Sequence, residues 1–304
     1  MANESMGGSS GAGTGGESTV PGPAMILVEP QLGFNIGACA RAMLNCGLRD
    51  LRIVRPRDGW PNEKARSAAT VAVDVVDSAR VFQRTEDAVE DLHLVFATTG
   101  RTRELHKEIL EPPGAAAELL RLGGRGLATG VLFGPERTGL ENSDLVLADK
   151  ILTFPLDPAC RSLNLAQAVM LVAWEWHRAR LVASSSAIDD VGTDDGPALA
   201  ARQESESDDP HVRRRERRRL DLESPATAGE LVQLYEHLEQ ELDAAEFFRV
   251  PEKRDGMILN LRALLARASP TRQETRTLHG VVTALSGRRK DGRRARRPGT
   301  KTGE

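Results

Sequence analysis

Five short apolar runs punctuate the first half of the chain: "MILVEP" (25–30), "LRIVRP" (51–56), "LHLVFATTG" (92–100), "GVLFGPE" (130–136) and "DKILTFP" (149–155). Each is rich in Val, Ile and Leu and ends at a glycine, a proline or a polar turn. Apolar residues at consecutive rather than alternate positions predict strands buried on both faces of a parallel sheet. Between them, helical spacing predicts helices around 35–46, 61–70, 86–91 and 113–122, and a long one from Ser162 to about Val182. Strand and helix in alternation give an α/β fold with a mostly parallel sheet, spanning residues 24–182.

Outside that span the pattern changes. Residues 1–23 form a Gly/Ser-rich arm with neither the basic nor the apolar region of a secretory signal. Residues 183–224 read as a flexible linker, first acidic and then arginine-rich in "RRRERRR" (213–219). Helical spacing returns over 225–286, where Leu231, Leu234, Tyr235, Leu238 and Leu242 fall on one stripe. "GMILNLRALLARA" and "RQETRTLHGVVTALSG" supply two further helices. This extension is too short for a large core of its own, so it must pack on the main domain, on a second copy, or on both. Residues 287–304 form a basic tail.

Composition sharpens this. Apolar residues make up 40% and aromatics only 4%, so the core is built from Leu, Val, Ile and Ala. The net charge of −3 conceals segregation: residues 183–210 hold eight Asp or Glu against one Arg, whereas 213–219 and the tail are intensely basic. That distribution suits a polyanionic partner, although a basic tail can equally serve solubility. Cys39, Cys46 and Cys160 show no CxxC or Cys/His spacing, which fits reduced thiols in a cytosolic protein and excludes the usual zinc patterns. No apolar run approaches the ~18 residues of a membrane span.

Three segments beyond predicted strand ends could carry chemistry. In "PQLGFNIGACARAM" (30–43), Gly37 and Arg41 lie one turn apart, and the glycine would let another backbone or a ligand approach. In "LFGPERTGL" (132–140), two glycines flank Glu136 and Arg137, leaving main-chain amides free for a ligand. In "PACRSLNLAQAV" (158–169), Ser162 is a candidate N-cap with Asn164 after it. A fourth segment, "ATTGRTRELHKE" (97–108), could hold a cofactor in its turn and phosphates with Arg101, Arg103 and Lys107. The Walker and GxGxxG patterns are absent, as are GxSxG, HExxH and any Ser/His/Asp order. The six histidines are scattered, and His93 reads as a core residue.

Taken together, N-x-G-x-x-x-R-A, F-G-x-E-x-x-G-L and S-L-N-x-A-x-A-V resemble, in order and spacing, the three motifs of the SpoU branch of the SPOUT RNA methyltransferases. "NLRALLARASPTRQETRTLHGVV" is similar to the extension of the TrmJ-type subgroup. The resemblance implies a parallel α/β sheet closed by a deep C-terminal trefoil knot, with a small helical extension. It also implies a homodimer, with S-adenosylmethionine bent into the knot and the active site shared between subunits. It implies ribose 2'-O-methylation of tRNA at nucleotide 32 of the anticodon loop, with no membrane or DNA partner. A SpoU-type enzyme acting on rRNA or another tRNA site, and a non-catalytic RNA-binding knot protein, are the alternatives.

Carried over by motif, Asn35, Arg41, Glu136 and Asn164 are the catalytic set. Thr98, Thr99, Gly100, Gly134, Phe154, Arg161, Ser162 and Leu163 enclose the cofactor. Arg161 departs from the small residue that relatives often carry there. The family proposes an arginine base at the position of Arg41. An arginine that stays protonated above pH ~12 is better suited to binding the neighbouring phosphate and stabilising a developing alkoxide.

Overall fold

The five apolar runs become β1 (Ala24–Val28), β2 (Leu51–Val54), β4 (Leu94–Thr98), β6 (Thr129–Phe133) and β7 (Lys150–Leu152). Two short strands that the apolar pattern does not announce, β3 (Arg80–Phe82) and β5 (Ile109–Leu110), close the edges. All seven are parallel, in the order β3-β2-β1-β6-β4-β7-β5. The computed structural model describes residues 20–100, 107–160, 162–189 and 221–286. Most of the Gly/Ser arm, Arg101, Arg103, Arg161, most of the linker and the basic tail lie outside the described residues.

Successive strand residues face opposite ways, and both faces are buried. Met25 and Leu27 join one core with α1 (Gly33–Asn45), α2 (Glu63–Ala69), α3 (Val73–Asp77), α5 (Pro112–Gly123) and α7 (Leu165–Asp189). Ala24, Ile26 and Val28 join a second core with α4 (Thr85–Val89) and α6 (Asn142–Leu147). β2 even buries an arginine. Arg52 is 2% exposed and donates to Asp50, to Asp91 and to the Ala88 carbonyl, tying the strand to α4.

The extension packs on the second face. α8 (Ala228–Ala244) opens with a capping box between Thr227 and Glu230. Its first amides would lack helical partners. Instead, Ala228 N–H donates to the Leu92 carbonyl at 2.8 Å and Gly229 N–H to the Glu90 carbonyl at 3.1 Å. A Cβ on Gly229 would sit 2.9 Å from that Glu90 oxygen and 2.4 Å from Glu90 Cγ, so only glycine permits this approach. Ala228 and Val232 pack against the second core; of the expected stripe, Leu231, Leu234 and Tyr235 are buried, and Leu238 and Leu242 half-buried. α9 (Pro251–Arg267) and α10 (Arg272–Leu285) complete it, Leu265 packing against Ala226, Leu231 and Tyr235. Two of the scattered histidines meet here: His237 and His279 stack with centroids 5.1 Å apart.

Lys107 corrects one expectation. It is buried, not a phosphate-binding cation, and its Nζ donates to the Val146 carbonyl at 3.0 Å and to the Ala148 carbonyl, at the C-terminal end of α6. A cation there meets the negative end of the helix dipole. Burial lowers its pKa to about 8. Nearby Asp149 accepts the Val95 N–H at 2.7 Å, and burial pushes its carboxyl up to about 6.

Candidate active site

Chain order along the sheet reverses between β1, which leads outward through β2 to β3, and its other neighbour β6. At such a switch point the loops leaving adjacent strands diverge and open a crevice at the strands' C-terminal ends. A cleft of about 530 Å³ lies beside that point, at the C-terminal ends of β4, β6 and β7, within the ordinary range of small-molecule sites. Thr98, Thr99 and Gly100 after β4, Gly134 and Glu136 after β6, Phe154 after β7, and Ser162 and Leu163 before α7 all line it. Seven of the eight residues expected around a cofactor therefore converge, and the eighth, Arg161, lies outside the described residues.

Local sequence explains the shape. A Cβ on Gly134 would fall 2.3 Å from the Leu140 nitrogen and 2.5 Å from the Gly139 carbonyl carbon, so the loop folds back on itself only over a glycine. Gly139 N–H closes the turn on the Pro135 carbonyl at 2.9 Å, with φ at +70°. Thr98 Oγ1 donates to the Leu132 carbonyl at 2.9 Å and pins the ends of β4 and β6 together. Ser162 does not cap the long helix as expected. α7 begins at Leu165, and it is Asn164 Oδ1 that accepts the Ala166 N–H at 2.9 Å, which leaves Ser162 to the cleft.

At the edge of the cleft three of the four expected catalytic residues touch. Asn35 Nδ2 donates to Glu136 Oε1 at 2.7 Å, and Asn164 Nδ2 reaches Asn35 Oδ1 at 3.4 Å. Glu136 Oε2 accepts the main-chain N–H of Gln31 at 2.9 Å. Both carboxylate oxygens are thus engaged as acceptors, so Glu136 holds Asn35 in orientation. Sequence reasoning missed Gln31, because a main-chain donor leaves no side-chain signature. Cys39, beneath this cluster, is inert: burial, and then the charge of Glu136, push its thiol far above the usual range.

Arg41 stands apart. It is exposed on α1 and does not line the cleft. Of the two partners expected for Gly37, a backbone or a ligand, the structure supplies the backbone. A Cβ on Gly37 would lie 2.2 Å from the Ala65 carbonyl oxygen and 2.7 Å from the Ala69 nitrogen. The backbone that approaches Gly37 is therefore α2, and the glycine serves packing between helices rather than a ligand.

Comparison with known proteins matches both parts of the chain. Residues 23–174 fit the model of the SpoU rRNA methylase family, and residues 229–298 that of the tRNA methyltransferase TrmJ C-terminal domain. The tRNA (cytidine/uridine/adenosine-2'-O-)-methyltransferase TrmJ of Pseudomonas aeruginosa is 32% identical over 259 residues, 85% of this chain and 91% of its own length. The tRNA (cytidine/uridine-2'-O-)-methyltransferase TrmJ of Klebsiella pneumoniae is 29% identical, over 86% of this chain and 95% of its own. Among solved structures, the crystal structure of TrmJ from Z. mobilis superposes with a TM-score of 0.69 at 41% identity, covering 86% of this chain and 98% of that one.

Proposed function

The chain belongs to the SpoU methylase family, and on that premise we propose that it transfers the methyl group of S-adenosylmethionine to a tRNA ribose. The acceptor is the 2'-hydroxyl of a cytidine or uridine at nucleotide 32 of the anticodon loop. The observation that carries the reading is the joined set Asn35, Glu136 and Asn164, three residues from distant segments meeting at the switch point, beside the cleft. A ribose acceptor also makes RNA rather than DNA the substrate.

The cleft fits the cofactor. Phe154, Leu156 and Leu163 offer apolar walls, and the main chain around Gly100 and Gly134 offers polar edges. Its single carboxylate among the described residues, Glu136, is already satisfied by Asn35 and Gln31. When bound, the cofactor supplies a methyl group activated by its sulfonium charge, so the protein's task is alignment and proton removal. Asn35 and Asn164 orient the target ribose. Arg41 binds the adjacent phosphate and stabilises the developing alkoxide.

Because Arg41 lies outside the cleft of its own chain, the reading includes a homodimer whose second copy completes the site. The exposed apolar side chains Leu32 and Phe34 at the start of α1, and Leu171 and Trp174 on α7, are the surface for that pairing. The family's knot belongs to the same reading, at the loops that carry the chain from β6 past β7 into α7. The arginine-rich linker, the extension and the basic tail add phosphate contacts, which makes affinity fall steeply with salt. No helix among the described residues is long and apolar enough to cross a membrane. The tRNA substrate is what sets the enzyme in the cytoplasm on this reading.

The test is incubation with labelled S-adenosylmethionine and bulk tRNA or rRNA, followed by mapping of the 2'-O-methyls lost when the gene is deleted. Label at nucleotide 32 of tRNA is expected. Label in rRNA or elsewhere in tRNA moves the enzyme to another substrate within the family, and label in neither makes the chain an RNA binder.

A further inference from the structure

One peptide unit joins the catalytic cluster to the neighbouring strand. The amide between Pro30 and Gln31 donates its N–H to Glu136 Oε2 at 2.9 Å. The carbonyl of the same unit accepts the Arg57 N–H at 3.1 Å. A peptide unit is planar, so fixing its carbonyl aims its N–H. The loop after β2 thus sets the direction of the donor that holds Glu136, and through Glu136 the orientation of Asn35.

The two loops are locked together just before this point. Glu29 and Arg55, the residues after β1 and β2, have φ values of +46° and +44°. Neither is glycine and each precedes a proline, so both occupy a backbone region that costs about 1–3 kcal/mol per residue. Their main chains step across the sheet, Glu29 N–H to the Val54 carbonyl at 2.8 Å and Arg55 N–H to the Phe82 carbonyl at 3.0 Å. Their side chains meet as well: Arg55 Nε donates to Glu29 Oε1 at 2.9 Å, and Arg55 Nη1 to the Gln83 carbonyl at 2.9 Å. The pair is 40% and 49% exposed, and an exposed ion pair adds little to stability. Two strained residues joined by a weakly stabilising bond are poorly explained as a device for folding, and well explained as a device for aim.

We propose that Glu29 and Arg55 are positioning residues for methyl transfer: their ion pair fixes the strained ends of β1 and β2 so that the Pro30–Gln31 amide, braced by Arg57, holds Glu136 and Asn35 in register. Neither lines the cleft. The inference rests on the methyl-transfer reading for its effect on rate, and on geometry alone for its effect on the Gln31 amide.

The test compares full-length Glu29→Ala, Arg55→Ala, the double variant and the conservative Glu29→Gln, which keeps an oxygen for Arg55 Nε. Expected is a fall in kcat of about tenfold for either alanine variant, with cofactor affinity and melting temperature close to wild type. The double variant should lose no more than the singles, and Glu29→Gln should recover most of the rate. Hydrogen exchange at the Gln31 amide should quicken in both alanine variants. Unchanged kcat and unchanged exchange would overturn the proposal. So would additive losses, failure of Glu29→Gln to recover, or a rate loss matched by a loss of cofactor binding or of melting temperature. If the wild-type chain methylates no RNA, the methyl-transfer reading fails, while Gln31 exchange still decides whether the pair holds the loop.

Discussion

Asn35 and Glu136 stand 101 residues apart in sequence and 2.7 Å apart in space, joined by a hydrogen bond from the amide to the carboxylate. Each therefore depends on the other for its orientation. Asn35→Ala and Glu136→Ala are each expected to lower kcat for methyl transfer by about 100-fold, the scale of a positioned catalytic contact. Groups that act as a unit lose no more together than apart. Single-turnover rates of the two single variants and the double variant measure this, and fully additive losses would show that the two act separately.

Arg41 is exposed on α1 and stands outside the cleft wall. Arg41→Ala and Arg41→Lys should both abolish methyl transfer while S-adenosylmethionine still binds, because the side chain lies outside the cleft wall. Calorimetric titration with the cofactor, paired with turnover on tRNA, separates the two effects. Near wild-type turnover by the lysine variant would remove any need for a planar, bidentate cation.

Gly134 and Gly139 bound the same loop but differ in kind. Gly134→Ala drives a methyl group into the main chain of 139–140, whereas a Cβ on Gly139 meets open space and only the left-handed φ resists it. Gly134→Ala should cost about 1–3 kcal/mol of stability and most of the cofactor affinity. Gly139→Ala should cost about 1 kcal/mol and leave affinity nearly intact. Thermal melts with and without cofactor distinguish them.

Asp149 makes stability depend on pH in an unusual direction. Burial lifts its carboxyl to about 6, so the folded chain keeps this proton over a range in which the unfolded chain, titrating near 4, has released it. The folded state binds more protons there, and this group's contribution falls as pH rises from about 4 to 6. Each tenfold change in proton affinity is worth about 1.4 kcal/mol, so the fall is on the order of 3 kcal/mol at most. Asp149→Asn keeps an acceptor for the Val95 N–H and should match wild type near pH 4 but exceed it near pH 7. Denaturant melts at the two pH values, compared as differences, give the answer.

The five central strands were legible because burial on both faces demands unbroken apolar runs, and each run is present in the sequence. β3 and β5 were not, since an edge strand of three or two residues needs no such run. The site was legible where side chains carry it, as with Asn35, Glu136 and Asn164. It was illegible where the backbone does: Gln31 contributes an amide that any residue but proline could supply. Lys107 misled for a related reason. A lysine in a polar stretch looks solvent-facing, and only the path of the chain places a helix end over it.

The attachment of the extension at Ala228 and Gly229 has a consequence for how such a chain can diversify. Two main-chain amides grip two main-chain carbonyls, and the one side-chain requirement at that grip is that residue 229 has none. The outward-facing side chains of α8, α9 and α10 take no part in those two hydrogen bonds, so the exposed surface of the extension can be rewritten while the main-chain joint stays in place.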